Sequence, residues 1–223
     1  MAKKIRCAIF DLDGVITETS VQHFEGWKYL AKKLGITLKP SFEDKLKGIS
    51  RLESLEVILS EHGLEDKYTM EEKIELTDVK NNYYKKLLQG FTKDNINKGV
   101  LQLLDYLKTN NIFLALGSAS KNSPFILEAL QIKDYFDYVL DPRGKKSKPA
   151  PDIFLDAAKH FGLDGEACIA FEDAVAGVTS INKSNMYSIG IGDPKILHHA
   201  NVVYQDVAHI DYDHLEKLIH GEL

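Results

Sequence analysis

The sequence predicts an α/β protein: a doubly wound parallel sheet, with a bundle of helices inserted after the first strand as a cap. Short apolar runs alternate with longer amphipathic runs along most of the 223 residues, as strands and helices do around parallel sheets. Between residues 17 and 90 only helical patterns occur. We therefore predict a core from residues 1–16 and 91–223 and a cap from residues 17–90.

Several apolar runs of the predicted core are nearly continuous, as expected for strands that helices cover on both faces. The predicted strands are residues 5–10, 112–117, 138–140, 168–171, 187–191 and 201–204. The predicted helices are residues 21–34, 51–60 and 71–88 in the cap, and 100–108, 124–130, 151–161 and 174–182 in the core. An insertion after the first strand lies over the carboxyl ends of the strands, where open sheets bind ligands. We therefore expect the cap to act as a lid.

The composition is that of an ordinary globular chain, with 44% hydrophobic and 27% charged residues. A net charge of −5 provides no basic surface for nucleic acid or an anionic membrane. No apolar run reaches the roughly 18 residues of a membrane span, and the N-terminus lacks a signal-peptide pattern. Cys7 and Cys168 lie in apolar runs, which favours buried, reduced thiols over a disulfide. We expect a cytoplasmic monomer.

Two acids directly follow the first predicted strand, in the run Phe10-Asp11-Leu12-Asp13-Gly14. Residues two apart point to the same side of an extended chain, so both carboxylates would face one site and Leu12 would face the core. Such a pair suits Mg²⁺, or covalent catalysis in which a carboxylate accepts a phosphoryl group. The alternative is a solvated turn that contains two aspartates by chance.

Three later segments favour a site over a turn. Ser118 ends a predicted strand before a helix start, where a hydroxyl and the helix N-terminus can hold a phosphate. Lys148 precedes another helix and can neutralise a phosphate or a carboxylate nucleophile. Glu172 and Asp173 end a further strand and can complete a cation shell. The alternatives are a helix cap for Ser118, a surface position for Lys148, and helix-dipole charges for the two acids.

Together these four segments, in this order and over nearly the whole chain, resemble the haloacid dehalogenase superfamily of phosphotransferases. The resemblance implies a Rossmann-like core with an inserted helical cap. It implies that Asp11 is the nucleophile and Asp13 the general acid/base, that Ser118 binds the transferring phosphate, and that Lys148 supports both that phosphate and Asp11. It also implies a cis peptide between Lys148 and Pro149. The implied ligands of one Mg²⁺ per chain are Asp11, the backbone carbonyl of Asp13, Glu172 and Asp173.

The sequence also resembles the phosphomutases of this superfamily, through the first motif at residues 11–19, the cap run at residues 46–54 and the core run at residues 118–122. In that comparison Arg51, Ser120, Lys121 and Asn122 hold the phosphate distant from the reaction. The substrate-binding residues that the resemblance implies are Thr19, His23, Trp27, Lys47, Gly48, Arg51, Ser54, Lys80, Ala119, Ser120, Lys121 and Asn122.

His23 and Lys80 match positions that couple cap closure to Asp13, with an ordinary packing or surface role as the alternative. For Trp27 the alternative is a place in the cap core. Three features depart from the family pattern. Glu18 stands where a second aspartate is frequent, Ala174 replaces a common serine, and the loop at residues 141–147 is short and basic.

The reaction implied by the resemblance converts β-D-glucose 1-phosphate to D-glucose 6-phosphate. It proceeds through β-D-glucose 1,6-bisphosphate, which also activates the enzyme, and through an aspartyl phosphate on Asp11. The cap must exclude water, because water would hydrolyse that phosphate. The alternatives are a sugar-phosphate phosphatase of the same superfamily and a non-catalytic sugar-phosphate sensor.

Overall fold

The computed structural model describes residues 4–46 and 49–222. The chain forms two compact units, one from Met1–Glu18 with Thr92–Leu223 and the other from Thr19–Phe91. The predicted cap, residues 17–90, starts two residues before the second unit starts and ends one residue before that unit ends. We call the first unit the core and the second the cap.

The core contains one parallel sheet, and its strands are short and apolar. The strands are β1 Cys7–Phe10, β2 Phe113–Leu116, β3 Tyr138–Val139, β4 Cys168–Glu172, β5 Tyr187–Ile191 and β6 Val202–Tyr204. The α-helices of the two units are α1 Ser20–Lys33, α2 Glu43–Leu46, α3 Arg51–Ser60, α4 Met70–Leu87, α5 Val100–Thr109, α6 Ser123–Ala129, α7 Asp152–His160, α8 Val175–Lys183 and α9 Tyr212–His220. Short 3₁₀ helices are Pro40–Phe42, Leu88–Gly90, Lys93–Asn95, Lys133–Tyr135, Gly165–Ala167 and Val207–His209.

The sheet has the strand order β3-β2-β1-β4-β5-β6. Strand β1 lies at the centre, with Phe10 in register with Leu116 of β2 and Phe171 of β4. The chain first builds outward to β2 and β3, and then reverses to β4, β5 and β6. Open α/β sheets bind ligands at such a reversal, beyond the carboxyl ends of the strands. The predicted doubly wound sheet is therefore confirmed, and β1 and β4 flank its switch point.

The cap is a helical unit with its own hydrophobic core. Trp27 and Leu30 of α1 pack in one cluster with Leu55, Ile58 and Leu59 of α3. Helices α3 and α4 each begin with a capping box, in which a Ser or Thr hydroxyl and a Glu side chain satisfy the first backbone amides. Trp27 is 3% exposed within this cluster.

Two helices were missing from the prediction. Helix α2 has only four residues, too few for a periodic pattern to emerge. Helix α9 is capped by Asp211 and buries Leu215, Leu218 and Ile219. This spacing is the apolar pattern of an amphipathic helix, so the sequence contained the signal for α9.

Two smaller expectations are confirmed. Cys7 and Cys168 are buried and free, and the Lys148-Pro149 peptide is cis. No helix among the described residues is long and apolar enough to cross a bilayer.

Candidate active site

The turn after β1 contains two of the predicted acids, Asp11 and Asp13, at the carboxyl edge of the sheet. The Asp11 amide donates to the carbonyl of Phe171 (3.0 Å), which continues the pairing of β1 with β4. Gly14 adopts a φ of 79°, a conformation that favours glycine, and its amide donates to the Thr17 carbonyl at 2.8 Å. Leu12 is fully buried, as predicted. A solvated turn is therefore excluded for Asp11, which is only 8% exposed.

Lys148 is a buried cation between two of the predicted acids. Its Nζ lies 2.5 Å from Oδ1 of Asp11 and 2.6 Å from Oε1 of Glu172. The ammonium also lies 5.0 Å from the centre of the Phe154 ring. Lys148 is 2% exposed, so the surface-lysine alternative is excluded. The second Glu172 oxygen accepts the backbone amide of Ala174 at 2.7 Å, at the start of α8.

The acids outnumber the cations in this site, and their pKa values reflect it. Burial raises the pKa of Asp11 to about 7, Lys148 opposes this rise, and Glu172 and Asp13 add to it. Burial raises the pKa of Asp173 to about 9, with Glu172, Asp11 and Asp13 adding to the rise. Burial disfavours the charge on Lys148, but Asp11 and Glu172 outweigh that effect and hold the Lys148 pKa above its usual range. One cation is therefore insufficient to keep all these carboxylates ionised.

Two glycines leave room for these carboxylates. A Cβ on Gly14 would overlap the carboxylate of Asp173, and a Cβ on Gly177 would overlap the carboxylate of Glu172. The sequence contains both glycines but does not show which side chains they accommodate.

A hard divalent cation fits the chemistry of this donor set. Asp11 and Asp173 are oxygen donors with raised pKa values, and a bound cation favours their ionised forms. The described residues hold no group of three or more His, Cys, Asp or Glu side chains already arranged around one point. Glu172 bonds to Lys148 and to the Ala174 amide. Each carboxylate oxygen has two lone pairs, so Glu172 can keep these bonds and still bind a cation.

Ser118 lies at the carboxyl end of β2, beside β1 in the sheet. It is 3% exposed, and its Oγ accepts the Ser120 amide at 3.1 Å. The Ser120 hydroxyl in turn accepts the Asn122 amide at 3.2 Å. The residue that caps α6 is Asn122, so the helix-cap alternative for Ser118 is wrong. These local bonds fix the backbone of residues 118–122, the segment that also contains Ala119 and Lys121.

The cap brings together several of its predicted residues. Lys80 is 1% exposed, and its Nζ lies 2.7 Å from Nδ1 of His23. The same ammonium lies 4.9 Å from the Trp27 ring centre and 4.7 Å from that of Tyr84. The Tyr84 hydroxyl donates to Oγ1 of Thr19 at 3.2 Å. Burial, then Lys80 and Arg51, hold the pKa of His23 well below its usual value, so the imidazole is neutral and its Nδ1 accepts from Lys80.

Arg51 is the first residue of α3, where the capping box of Ser50 and Glu53 fixes the backbone. Its guanidinium lies 3.8 Å from Asp78, and its side chain is 19% exposed. The Ser54 hydroxyl donates to the Ser50 carbonyl at 3.0 Å, which leaves its lone pairs for a ligand. The predicted residues Lys47 and Gly48 lie outside the described residues.

The fold and the core site define an α/β enzyme with a carboxylate centre at the switch point of its sheet. A family model described as haloacid dehalogenase-like hydrolase matches residues 5–185, and the chain belongs to this family. Membership in this family, together with the cluster of acids, indicates a metal cofactor.

The relatives include mutases and phosphatases. The chain is 40% identical to "Beta-phosphoglucomutase" of Bacillus subtilis (strain 168) over 219 residues, which cover 98% of this chain and 95% of that protein. A crystal structure of beta-phosphoglucomutase from Clostridium difficile matches with a TM-score of 0.94 and 40% identity, covering 97% of each chain. "Phosphorylated carbohydrates phosphatase" of Thermotoga maritima is 28% identical over 211 residues, which cover 89% of this chain and 93% of that protein.

Proposed function

We propose that this chain is a β-phosphoglucomutase, which isomerises β-D-glucose 1-phosphate to D-glucose 6-phosphate through β-D-glucose 1,6-bisphosphate. The observation that carries the proposal is the 40% identity to the Bacillus subtilis mutase over 98% of the chain. The Thermotoga maritima phosphatase is 28% identical. A sensor without catalysis would not need the buried ion pairs of Lys148 with Asp11 and Glu172.

In the proposed cycle, the chain begins with a phosphoryl group on Asp11. The 6-hydroxyl of β-glucose 1-phosphate attacks that phosphorus, Asp13 accepts the hydroxyl proton, and the bond between phosphorus and the Asp11 oxygen breaks. The product is β-glucose 1,6-bisphosphate, which then reorients. An Asp11 oxygen attacks the phosphorus on C1, the bond from phosphorus to the sugar oxygen breaks, and Asp13 returns the proton to that oxygen. Glucose 6-phosphate leaves, and Asp11 is phosphorylated again.

Phosphoryl transfer requires mainly that groups be positioned and that charge on the phosphate oxygens be neutralised. Lys148 is placed for this, because its ammonium lies 2.5 Å from the proposed nucleophile. We assign Ser118 to the same phosphate as a hydroxyl donor. The Asp11 carboxylate must be ionised to attack, and Lys148 favours the ionised form.

The proposed metal is one Mg²⁺, with Asp11, the backbone carbonyl of Asp13, Glu172 and Asp173 as its ligands. When bound, it supplies positive charge that polarises the phosphoryl group and keeps the carboxylates ionised. The raised pKa values of Asp11 and Asp173 support this assignment.

The substrate contacts are also proposals. From the cap, Arg51 suits a distal phosphate, because a guanidinium can make bidentate bonds to it. We also propose Ser120, Lys121 and Asn122 of the core as donors to a substrate phosphate. The remaining proposed contacts are Thr19, His23, Trp27, Lys47, Gly48, Ser54, Lys80 and Ala119.

The test is a product assay. Purified protein is given Mg²⁺, β-glucose 1-phosphate and a catalytic amount of β-glucose 1,6-bisphosphate, and glucose 6-phosphate and inorganic phosphate are measured in parallel. We expect glucose 6-phosphate as the main product. Inorganic phosphate as the main product would replace the mutase proposal with the phosphatase. No turnover of several hexose phosphates would favour the sensor.

We also propose that the chain works as a monomer in the cytoplasm. Two buried, free cysteines suit a reducing compartment. Light scattering after size-exclusion chromatography tests the monomer, and cell fractionation tests the location.

A further inference from the structure

The segment that places Lys148 has few backbone donors of its own. It runs Lys148-Pro149-Ala150-Pro151 into helix α7, and its two prolines have no N–H. The Ala150 amide donates to the Ser147 carbonyl at 2.9 Å, which is a bond within the same loop. We call residues 148–151 the lysine strap.

The strap is attached to helix α8 by a serine hydroxyl. Oγ of Ser180 donates to the Ala150 carbonyl at 2.6 Å, and Ser180 is fully buried. At the C-cap residue of α8, Oγ of Ser184 donates to the Ser180 carbonyl at 2.8 Å and lies 3.4 Å from the Pro151 carbonyl. The bond from Ser180 to the strap is therefore shorter than the contact from Ser184.

Helix α8 also positions the acid that Lys148 contacts. The helix begins at Val175, two residues after Asp173, and Glu172 accepts the amide of Ala174, the N-cap residue of the helix. Lys148 and Glu172 are thus held 2.6 Å apart by two segments that the Ser180 hydroxyl joins. Ser180 therefore links the helix that follows Glu172 to the strap that contains Lys148.

We propose that Ser180 is a positioning residue, which fixes Lys148 against Asp11 and Glu172 through its hydrogen bond to the Ala150 carbonyl. The inference rests on the proposed role of Lys148 in phosphoryl transfer. Ser180 does not touch the reacting atoms. Displacing a catalytic group by about 1 Å lowers the rate on the order of 100-fold. A hydrogen bond that does not touch the reacting atoms can therefore still affect turnover.

The adjacent Thr179 provides a matched control. Its hydroxyl donates to the Val175 carbonyl within α8 at 2.8 Å and lies 3.4 Å from Nε2 of His199. Thr179→Ala and Ser180→Ala both remove one hydroxyl from the same turn of the same helix. Only Ser180→Ala removes a bond to the strap.

The experiment compares kcat, KM for β-glucose 1-phosphate and the melting temperature of the wild type, Ser180→Ala, Ser180→Cys and Thr179→Ala, at a temperature where each variant is folded. We expect Ser180→Ala to lower kcat by about tenfold or more with KM changed less than twofold. Thr179→Ala should keep the wild-type kcat. Ser180→Cys retains a weak donor of similar shape and should recover part of the lost kcat. If Ser180→Ala does not fold, the kcat of Ser180→Cys is compared with that of the wild type and should be lower.

Several results would overturn the inference. They are a Ser180→Ala kcat equal to that of Thr179→Ala, a loss confined to the melting temperature, and an equal kcat for Ser180→Cys and Ser180→Ala. The wild type in the same assay separates this failure from failure of the proposed function. An inactive wild type contradicts the mutase, whereas an active wild type with an unaffected Ser180→Ala contradicts only the positioning role.

Discussion

Replacing Lys148 with methionine should destabilise the metal-free protein, and the loss should grow with pH. Lys148 is the buried partner of Asp11 and Glu172, at 2.5 and 2.6 Å. Breaking a buried ion pair by removing one partner costs about 3–5 kcal/mol, because the remaining charge is left without compensation. For a chain of this size, each kcal/mol lowers the melting temperature by about 2–4 °C. The expected loss at pH 8 is therefore roughly 6–20 °C.

The pH dependence follows from the carboxylates. The pKa of Asp11 is raised from 3.8 to about 7 in the folded protein, so the folded state binds more protons than the unfolded state between these values. Stability is highest below this window and falls as pH rises through it. Lys148 opposes the rise in the Asp11 pKa, so its removal widens the window. Near pH 5 the Asp11 carboxyl is largely protonated, and the cost of Lys148→Met should shrink.

The assay is urea denaturation of wild type and Lys148→Met at pH 5.5 and pH 8, with and without Mg²⁺. If the acids bind Mg²⁺ in the folded state, a concentration of 100 times its Kd adds about 2.7 kcal/mol to the free energy of unfolding. The reasoning is refuted if the variant loses the same free energy at both pH values. It is equally refuted if the variant is as stable as the wild type at pH 8.

Two further predictions concern the proposed substrate and metal contacts. Arg51→Ala should lower the kcat/KM of the mutase reaction by about 10–100-fold, because a hydrogen bond to a charged group contributes about 1.5–3 kcal/mol. Hydrolysis of a small phosphate ester, which has no distal phosphate, should change much less. Equal losses in the two reactions would argue against the assignment of Arg51 to the distal phosphate. Gly14→Ala should raise the Mg²⁺ concentration needed for half-maximal activity by about tenfold, because the new Cβ overlaps Asp173 and loss of a metal ligand's support lowers metal affinity by about 10–100-fold. A titration of activity against Mg²⁺ measures this concentration. An unchanged midpoint would remove Asp173 from the ligand set.

The sheet could be predicted from the sequence because its strands are short, nearly continuous apolar runs. Strand β5, Tyr187–Ile191, was predicted with its observed bounds, and β1 begins two residues later than predicted because Ile5 and Arg6 lie outside the paired register. The proximity of Asp11 and Glu172, which both contact Lys148, was also predictable, since the carboxyl ends of parallel strands share one edge.

The burial of the Lys148 side chain could not be predicted from the sequence in the same way. The side chain contacts Asp11, which lies 137 positions away in the sequence, and Glu172, which lies 24 positions away. The cap poses the same difficulty, because Lys80 contacts His23 across 57 positions. Hydrophobic periodicity describes local faces of helices and strands. It does not show which polar side chains meet inside a folded unit.

The measurement that tests the central claim most directly follows the phosphoryl group itself. The protein is labelled from β-glucose 1,6-bisphosphate carrying radioactive phosphorus, freed of excess label, mixed with excess β-glucose 1-phosphate and quenched within one turnover. We predict that the wild type carries an acid-stable, base-labile label that passes to the bisphosphate and then to glucose 6-phosphate, and that Asp11→Asn carries none. Passage of most of the label to inorganic phosphate, or equal labelling of Asp11→Asn, would contradict the account.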